Sequence, residues 1–364
     1  MDFRRILPIF AIVFTNILGA GVILPILPLV AEGQFGAPVL QATTLGAVFF
    51  GAQFIAAPWL GRLSDRVGRR PVLLISQIGT VFSFVMFSLA APIGAALAAN
   101  GMQLGISGGL LILFLARILD GITGGNITTA QAYISDVSSE ENRAQALGTL
   151  SAAFGMGFIF GPAFGGFLAT VSLVAPFVGA AIITSGSVIL TAVMLKESLP
   201  PEARVNMERG EKQTPTSHYL QIPTVFLILS ITFVVTLAFS ALQSTFALFA
   251  ARVVYPELHA AAVARNVGLI LTVIGVFTVI TQGLFIKPLV QNYGERVVII
   301  IGQFGLLIAF AGLSVASNPW LVVLIGPLIA FGNGLTGPSL QALITRFGSR
   351  QDQGQLLGVY QSAR

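Results

Sequence analysis

The sequence predicts an all-α polytopic membrane protein built from two related helical bundles, and three observations carry that expectation. Of 364 residues, 55% are hydrophobic and only 9% are charged, against roughly 25% charge in soluble domains. The apolar residues run in long blocks rather than in strand-like alternation, which argues against an outer-membrane barrel. They are also far too abundant for a disordered chain. The basic residues, finally, are spread very unevenly over the segments between the blocks. Forty Gly and 18 Pro suit the class, since both are commoner in membrane helices than in soluble ones. Cysteine is absent and the two histidines, His218 and His259, are far apart. Disulfides and thiolate or His-rich metal sites are therefore not expected, and neither is a cofactor.

A spanning helix needs about 20 apolar residues. Ten blocks qualify: Ile6–Val30, Thr44–Leu60, Pro71–Ala91, Gly109–Ile134, Ala146–Thr170, Leu173–Leu195, Ile222–Ala251, Val267–Ile286, Val297–Ala316 and Pro319–Ile344. An eleventh begins near Gly354 and is cut off at Arg364. The first block has no small-residue cleavage site and leads into another span, so it reads as a helix rather than a removable leader.

With the N-terminus inside, 16 of the 19 Lys and Arg fall in inside segments, two (Arg252 and Arg265) fall outside, and Arg117 lies within a span. The positive-inside rule gives one orientation. It also explains the +5 net charge as topology, with no nucleic acid or acidic partner required.

The longest polar stretch, Lys196–Gln221, carries Pro200, Pro201 and Pro215. It reads as a cytoplasmic linker between residues 1–195, a six-helix bundle, and residues 222–364, a second bundle that would be incomplete, with about 10–11 of 12 helices present. An internal repeat supports the division. At an offset of 210, Gln131–Ala153 and Gln341–Ala363 agree at 8 of 23 positions, among them Gln131/Gln341, Ser139/Ser349 and Gly148/Gly358. Related six-span halves are a signature of secondary transporters, whose substrate site lies between the halves near the midplane.

The most specific string is Gly61-Arg62-Leu63-Ser64-Asp65-Arg66-Val67-Gly68-Arg69-Arg70-Pro71, between spans two and three. It reads as a tight turn. Gly61 and Gly68 permit close helix approach and unusual backbone angles, Pro71 suits a first helical turn, and Asp65 can pair with the arginines or cap a facing helix. A plain basic turn obeying the positive-inside rule is the simpler reading. Span five carries Gly157, Gly161 and Gly165 at four-residue spacing, a face for close helix packing, with Pro162 bending the helix and Gly166 following.

The loop string resembles the loop 2–3 signature of the major facilitator superfamily. Leu18-Gly19 through Pro25-Ile26-Leu27-Pro28 resembles the span-one pattern of its 12-helix drug:proton antiporters, and Leu115–Gly121 resembles its span-four motif with a buried Arg. Gly157–Gly166 resembles its antiporter motif, and Gly121–Gly166 is most similar to tetracycline:proton antiporters. The resemblance implies a gate in which Asp136 meets Arg69 while Asp65 faces the start of span eleven near Gly354. It also implies that spans 1, 2, 4, 5, 7, 8, 10 and 11 line the cavity. The second half holds a weakened loop copy, Leu289–Arg296, with Gln291 at the acid position, so its charge-based part is expected to be degraded. Asn16 and Ser83 stand where tetracycline exporters carry acids, so a metal–tetracycline chelate is not the expected substrate.

An acid in the bilayer core costs about 2.5–3.5 kcal/mol or more and is a functional candidate by default. Asp120 is such an acid, and Arg117, three residues earlier, shares its helix face. Together they read as a proton-coupling pair, or alternatively as a permanent ion pair that lets both charges be buried. Gln131, eleven residues on, is expected on the same face about 16 Å away. Asn16, Gln53, Gln131, Gln243, Gln282, Asn333 and Gln341 are candidate cavity residues, each equally explicable as an interhelical hydrogen bond. Gln303, on span nine, reads as structural.

The sequence thus points to a monomeric secondary transporter of the cell (inner or plasma) membrane, exporting a small, amphipathic molecule in exchange for protons. Rival readings are a metabolite symporter or facilitator on the same scaffold, and a non-transporting sensor or inactive fragment. Enzyme chemistry is not expected: paired acids, a G-x-S-x-G elbow and a phosphate-cradling G-x-x-x-x-G-K-S/T loop are all missing.

Overall fold

A lipid-facing backbone must satisfy its own N–H and C=O groups, and helices do so within one segment. The computed structural model, which describes residues 3–23, 25–100, 106–138, 140–199, 221–347 and 360, is helical accordingly. Side chains of 3–8, 140–152 and 345 are outside that description. The helices are α1 Phe3–Ile23, α2 Leu27–Phe35, α3 Val39–Val67, α4 Arg69–Ser88, α5 Ala90–Ala99, α6 Gly108–Gly124 and α7 Ile127–Val137. Then follow α8 Glu140–Ala169, α9 Ala175–Met194, α10 Pro223–Phe249, α11 Ala260–Ile280, α12 Ile286–Ser314 and α13 Pro319–Ile344.

The ten expected spans are all represented. Eight stretches among the described residues are long and apolar enough to cross a membrane, and one of them, Ala260–Ser314, contains both span eight and span nine. Span five corresponds to α8.

Several spans that read as single rods are broken. Span one ends as α1 at Ile23 and resumes as α2 at Leu27; Pro25 lies in the gap and has no N–H to continue the ladder. Span three stops at Leu89 and resumes as α5. Span four is interrupted by a turn at Gly125–Asn126, between α6 and α7. Two wide π turns, Ala250–Val254 and Thr281–Phe285, extend α10 and link α11 to α12. A kink at Gly294 divides α12.

The chain forms two compact units. The first comprises residues 1–209 with 244–252 and 256–269; the second comprises 210–243, 253–255 and 270–364. In the first, α1 packs along α8 and α9, α4 lies against α6 and α9, and α3 lies on α6. An apolar cluster of Ile9, Ile12, Leu73, Tyr133, Ile134 and Leu195 fills its end near the Gly61–Pro71 loop. In the second, α12 packs along α13, and Val225, Ile228, Ile299, Leu340, Ile344 and Tyr360 form a core. The Tyr360 hydroxyl donates to the Gly337 carbonyl at 3.0 Å. Most of the linker, much of the repeat (Ser139/Ser349 and Gly148/Gly358 included) and the region near Gly354 lie outside the described residues or side chains.

Candidate functional site

The loop of the first unit turns on Gly68, whose φ of 111° and ψ of 159° suit only glycine. This backbone starts α4 at Arg69 directly after α3 ends at Val67. Arg69 is thereby buried, 4% exposed, and surrounded by acceptors. Its guanidinium donates to Ser64 Oγ at 2.6 Å and to Asp136 Oδ2 at 3.1 Å, and it pairs with Asp65 at 2.5 Å. Asp136, at the end of α7, also accepts from Ser198 Oγ. Arg66 is exposed, and Gly61 has room around it.

Glu197 completes this cluster, and the sequence reading missed it. Its carboxylate accepts the backbone N–H groups of Arg69 at 2.9 Å and Arg70 at 3.2 Å, so it caps α4, where the helix dipole favours an anion. Arg70 in turn donates to the Ala192 carbonyl at 2.6 Å. The available signal was an acid placed immediately after span six.

The weakened loop copy in the second unit is not charge-free. Gly294 also has a positive φ, 75°, and the next residue, Glu295, is buried and paired with Arg346. Gln291 leaves the acid position of the first loop uncharged here. The acid has moved to the position that Arg69 holds in the first unit, and the polarity is reversed.

Midway along the first unit, Arg117 Nη1 donates to Asp120 Oδ2 at 3.1 Å, with the two residues 5% and 3% exposed. The Arg117 guanidinium lies over the Phe49 ring at 5.1 Å and the Phe87 ring at 5.5 Å, contacts that partly replace its lost hydration. Ser83 on α4 lies against Asp120, and its hydroxyl donates to the Thr80 carbonyl at 2.8 Å. Gly121 keeps the helices close: a Cβ there would sit 2.4 Å from the Phe49 carbonyl.

A two-residue turn, Gly125–Asn126, lies between Asp120 and Gln131, the two residues expected on one face. Gln53 donates to the carbonyl of Gly124 at 2.9 Å, one of the carbonyls that the break leaves without a helical partner. Asn16 is half-buried, and its Oδ1 has no hydrogen-bond partner. Gln131, Gln243 and Gln341 are half-buried, and Gln282 is exposed in the second π turn. Asn333 lines a cavity of about 190 Å³ with Gln303, Val234 and Phe310. Gln303 donates to Thr336 Oγ1 at 3.2 Å.

The glycines of α8 meet backbone on two sides. A Cβ on Gly157 would lie 2.8 Å from Ile17, one on Gly161 2.8 Å from Gly21 Cα, and one on Gly165 2.1 Å from the Val22 carbonyl. A Cβ on Gly166 would lie 2.9 Å from the Ala264 carbonyl, and one on Gly268 2.3 Å from the Pro162 carbonyl. At the end of this unit opposite the loop, Glu32 of α2 pairs with Arg252.

A bundle of apolar helices with a buried ion pair in one span and a basic glycine turn between two others has the make-up of a multi-pass membrane protein. The chain belongs to the Major Facilitator Superfamily, whose sequence profile matches residues 9–364. It is 30% identical over 357 residues to the class C tetracycline resistance protein of Escherichia coli, covering 98% of this chain and 84% of that one. It is 29% identical over 363 residues to multidrug resistance protein 2 of Bacillus subtilis (strain 168), covering 96% and 84%. The structure of a human organic anion transporter superposes with a TM-score of 0.68 at 20% identity, over 99% of this chain and 89% of that one.

Proposed function

We propose that this protein is a proton-coupled antiporter of the cell membrane, exporting a small amphipathic molecule by alternating access, with its N-terminus and the 196–221 linker in the cytoplasm. The buried Arg117–Asp120 pair carries this reading. Asp120 holds a charge inside a span, where an acid is worth its energetic cost when it works. With Arg117 close, the carboxylate is favoured; when the pair separates, the neutral acid is favoured. A conformational change that alters the pair thus loads or unloads a proton. The efflux relatives support export, and the excess of basic residues on one set of loops supports the orientation. Asn16, Gln131, Gln243, Gln282, Asn333 and Gln341 are the candidate substrate contacts, while Gln53 serves the break in span four. The Arg69 cluster with Gly61, Asp65, Arg66, Gly68, Arg70 and Asp136 is the candidate gate, and the α8 glycines with Pro162 are the candidate seal at the opposite end.

A pH jump across liposomes holding the purified protein, with ethidium and tetracycline as probes, tests the reading. Antiport drives a probe against the proton flow, and Asp120→Asn removes that drive while leaving probe binding. Probe flux that ignores the gradient would replace the antiporter with a facilitator.

A further inference from the structure

We infer that the proton passes between Asp120 and the loop end through a buried polar seam between α4, α6 and α9 that ends near Arg70, a route inside the first unit and separate from the substrate contacts. This rests on the proton-carrier reading of Asp120 and adds its path.

The seam begins at Ser83 on α4, which lies against Asp120 and whose hydroxyl donates to the Thr80 carbonyl at 2.8 Å. One turn nearer the loop, Thr80 and Thr123 share a hydrogen bond of 2.9 Å between α4 and α6. One further turn along α4, Gln77 Oε1 accepts from Thr191 Oγ1 of α9 at 2.8 Å. Ala192, the next residue of α9, accepts the Arg70 guanidinium. Gln77, Ser83 and Thr191 are fully buried, and Thr80 nearly so. From Ser83 to Gln77 the seam spans about 9 Å at 1.5 Å per residue, beyond the reach of any direct contact with Asp120.

Two observations separate this seam from ordinary packing. First, it carries unspent hydrogen-bonding capacity. Gln77 Nε2, Ser76 Oγ, Ser187 Oγ and Arg70 Nε are buried without a partner, although buried polar atoms are normally satisfied by protein or by ordered water. Groups of this kind on facing helices are suited to holding a file of water. Second, among the described residues the matching part of the second unit is polar at fewer positions. Counting from the loop glycines Gly68 and Gly294, Gln77 matches Gln303, but Ser76, Thr80 and Ser83 match Gly302, Leu306 and Ala309. By the 210 offset, Asp120 matches Ala330. Thr123 matches Asn333 by the same offset, so the second unit keeps a polar pair, Gln303 and Asn333, and loses the hydroxyls at the positions of Ser76, Thr80 and Ser83 together with the acid.

Along such a file each oxygen takes a proton on one side and releases one on the other. Nothing is consumed, and in the exporting cycle the proton leaves the Asp120 carboxyl for the loop end. Gln77 orients the file through its amide and does not itself become charged. The charged group facing Asp120 is Arg117 on its own helix. Ser83 of α4 and Phe49 of α3, which face the pair, do not ionise in the working range.

The test follows the infrared band of the protonated carboxyl in the full protein after a pH jump, assigned by its loss in Asp120→Asn. Gln77→Leu and the near-isosteric Thr191→Val are expected to slow its appearance tenfold or more, with Gln303→Leu within twofold of wild type. If neither seam variant slows the band, or if Gln303→Leu slows it equally, the path is overturned and the carrier role of Asp120 stands. If Asp120→Asn removes no band, the carrier reading itself fails.

Discussion

The two loop glycines set up the same corner and then load it with opposite charges. After Gly68 comes a buried Arg69, met by Asp136; after Gly294 comes a buried Glu295, met by Arg346. Asp136 and Arg346 are themselves 210 residues apart, the offset of the internal repeat. The ion pair is thus kept at equivalent places while its polarity is inverted. Backbone conformation fixes where the pair sits, but the sign of each partner is free as long as the sum is neutral. The pairs differ in depth as well. Arg69 is enclosed by Ser64, Asp65 and Asp136, whereas the Arg346 side chain is 63% exposed. A buried charge that loses its partner is costly, and an exposed one is rehydrated.

This contrast orders the expected effects. Arg69→Ala strands two carboxylates and is expected to cost about 3 kcal/mol. Thermal unfolding in detergent, followed by Trp59 fluorescence in a Trp320→Phe background, measures it; a loss no larger than that of Glu295→Ala would erase the distinction. Gly68→Ala and Gly294→Ala each force a side chain into a positive-φ conformation, for roughly 1–2 kcal/mol. Similar melting shifts for both would show that the corner is shared even though the charge is not. Arg346→Ala leaves Glu295 buried without its cation but close to solvent, for about 1 kcal/mol. Glu295→Gln, which frees Arg346 into water, should cost less, and the reverse ranking in the same melting assay would contradict the depth argument. Asp65→Asn has the smallest effect on folding, within about 0.5 kcal/mol, because the side chain is half-exposed. It should nevertheless lower probe transport in liposomes, and unchanged transport would discard the gate.

The spans were legible in the sequence because membrane helices announce themselves by unbroken apolar length, and the loop string because glycine and charge spacing are local. Arg69 near Asp136 and Arg117 beside Asp120 were likewise within reach, the first through family resemblance and the second through helical spacing. What escaped were features set by tertiary contact or by small backbone deviations. The break at Gly125–Asn126 falls inside a block that reads as one span, Gly109–Ile134. Glu197 reads as a linker residue until α9 delivers it to the start of α4. The inverted pair was hidden because the copy was read at Gln291, the position of the first acid, and not one residue past the glycine.

Seen from α1 and from residues 264–268, α8 presents bare main chain at Gly157, Gly161, Gly165 and Gly166. A face without protruding side chains lets the neighbouring main chain come this close, and any added methyl would wedge it apart. That makes α8 a fitted joint that forbids enlargement, its tolerance written in glycine.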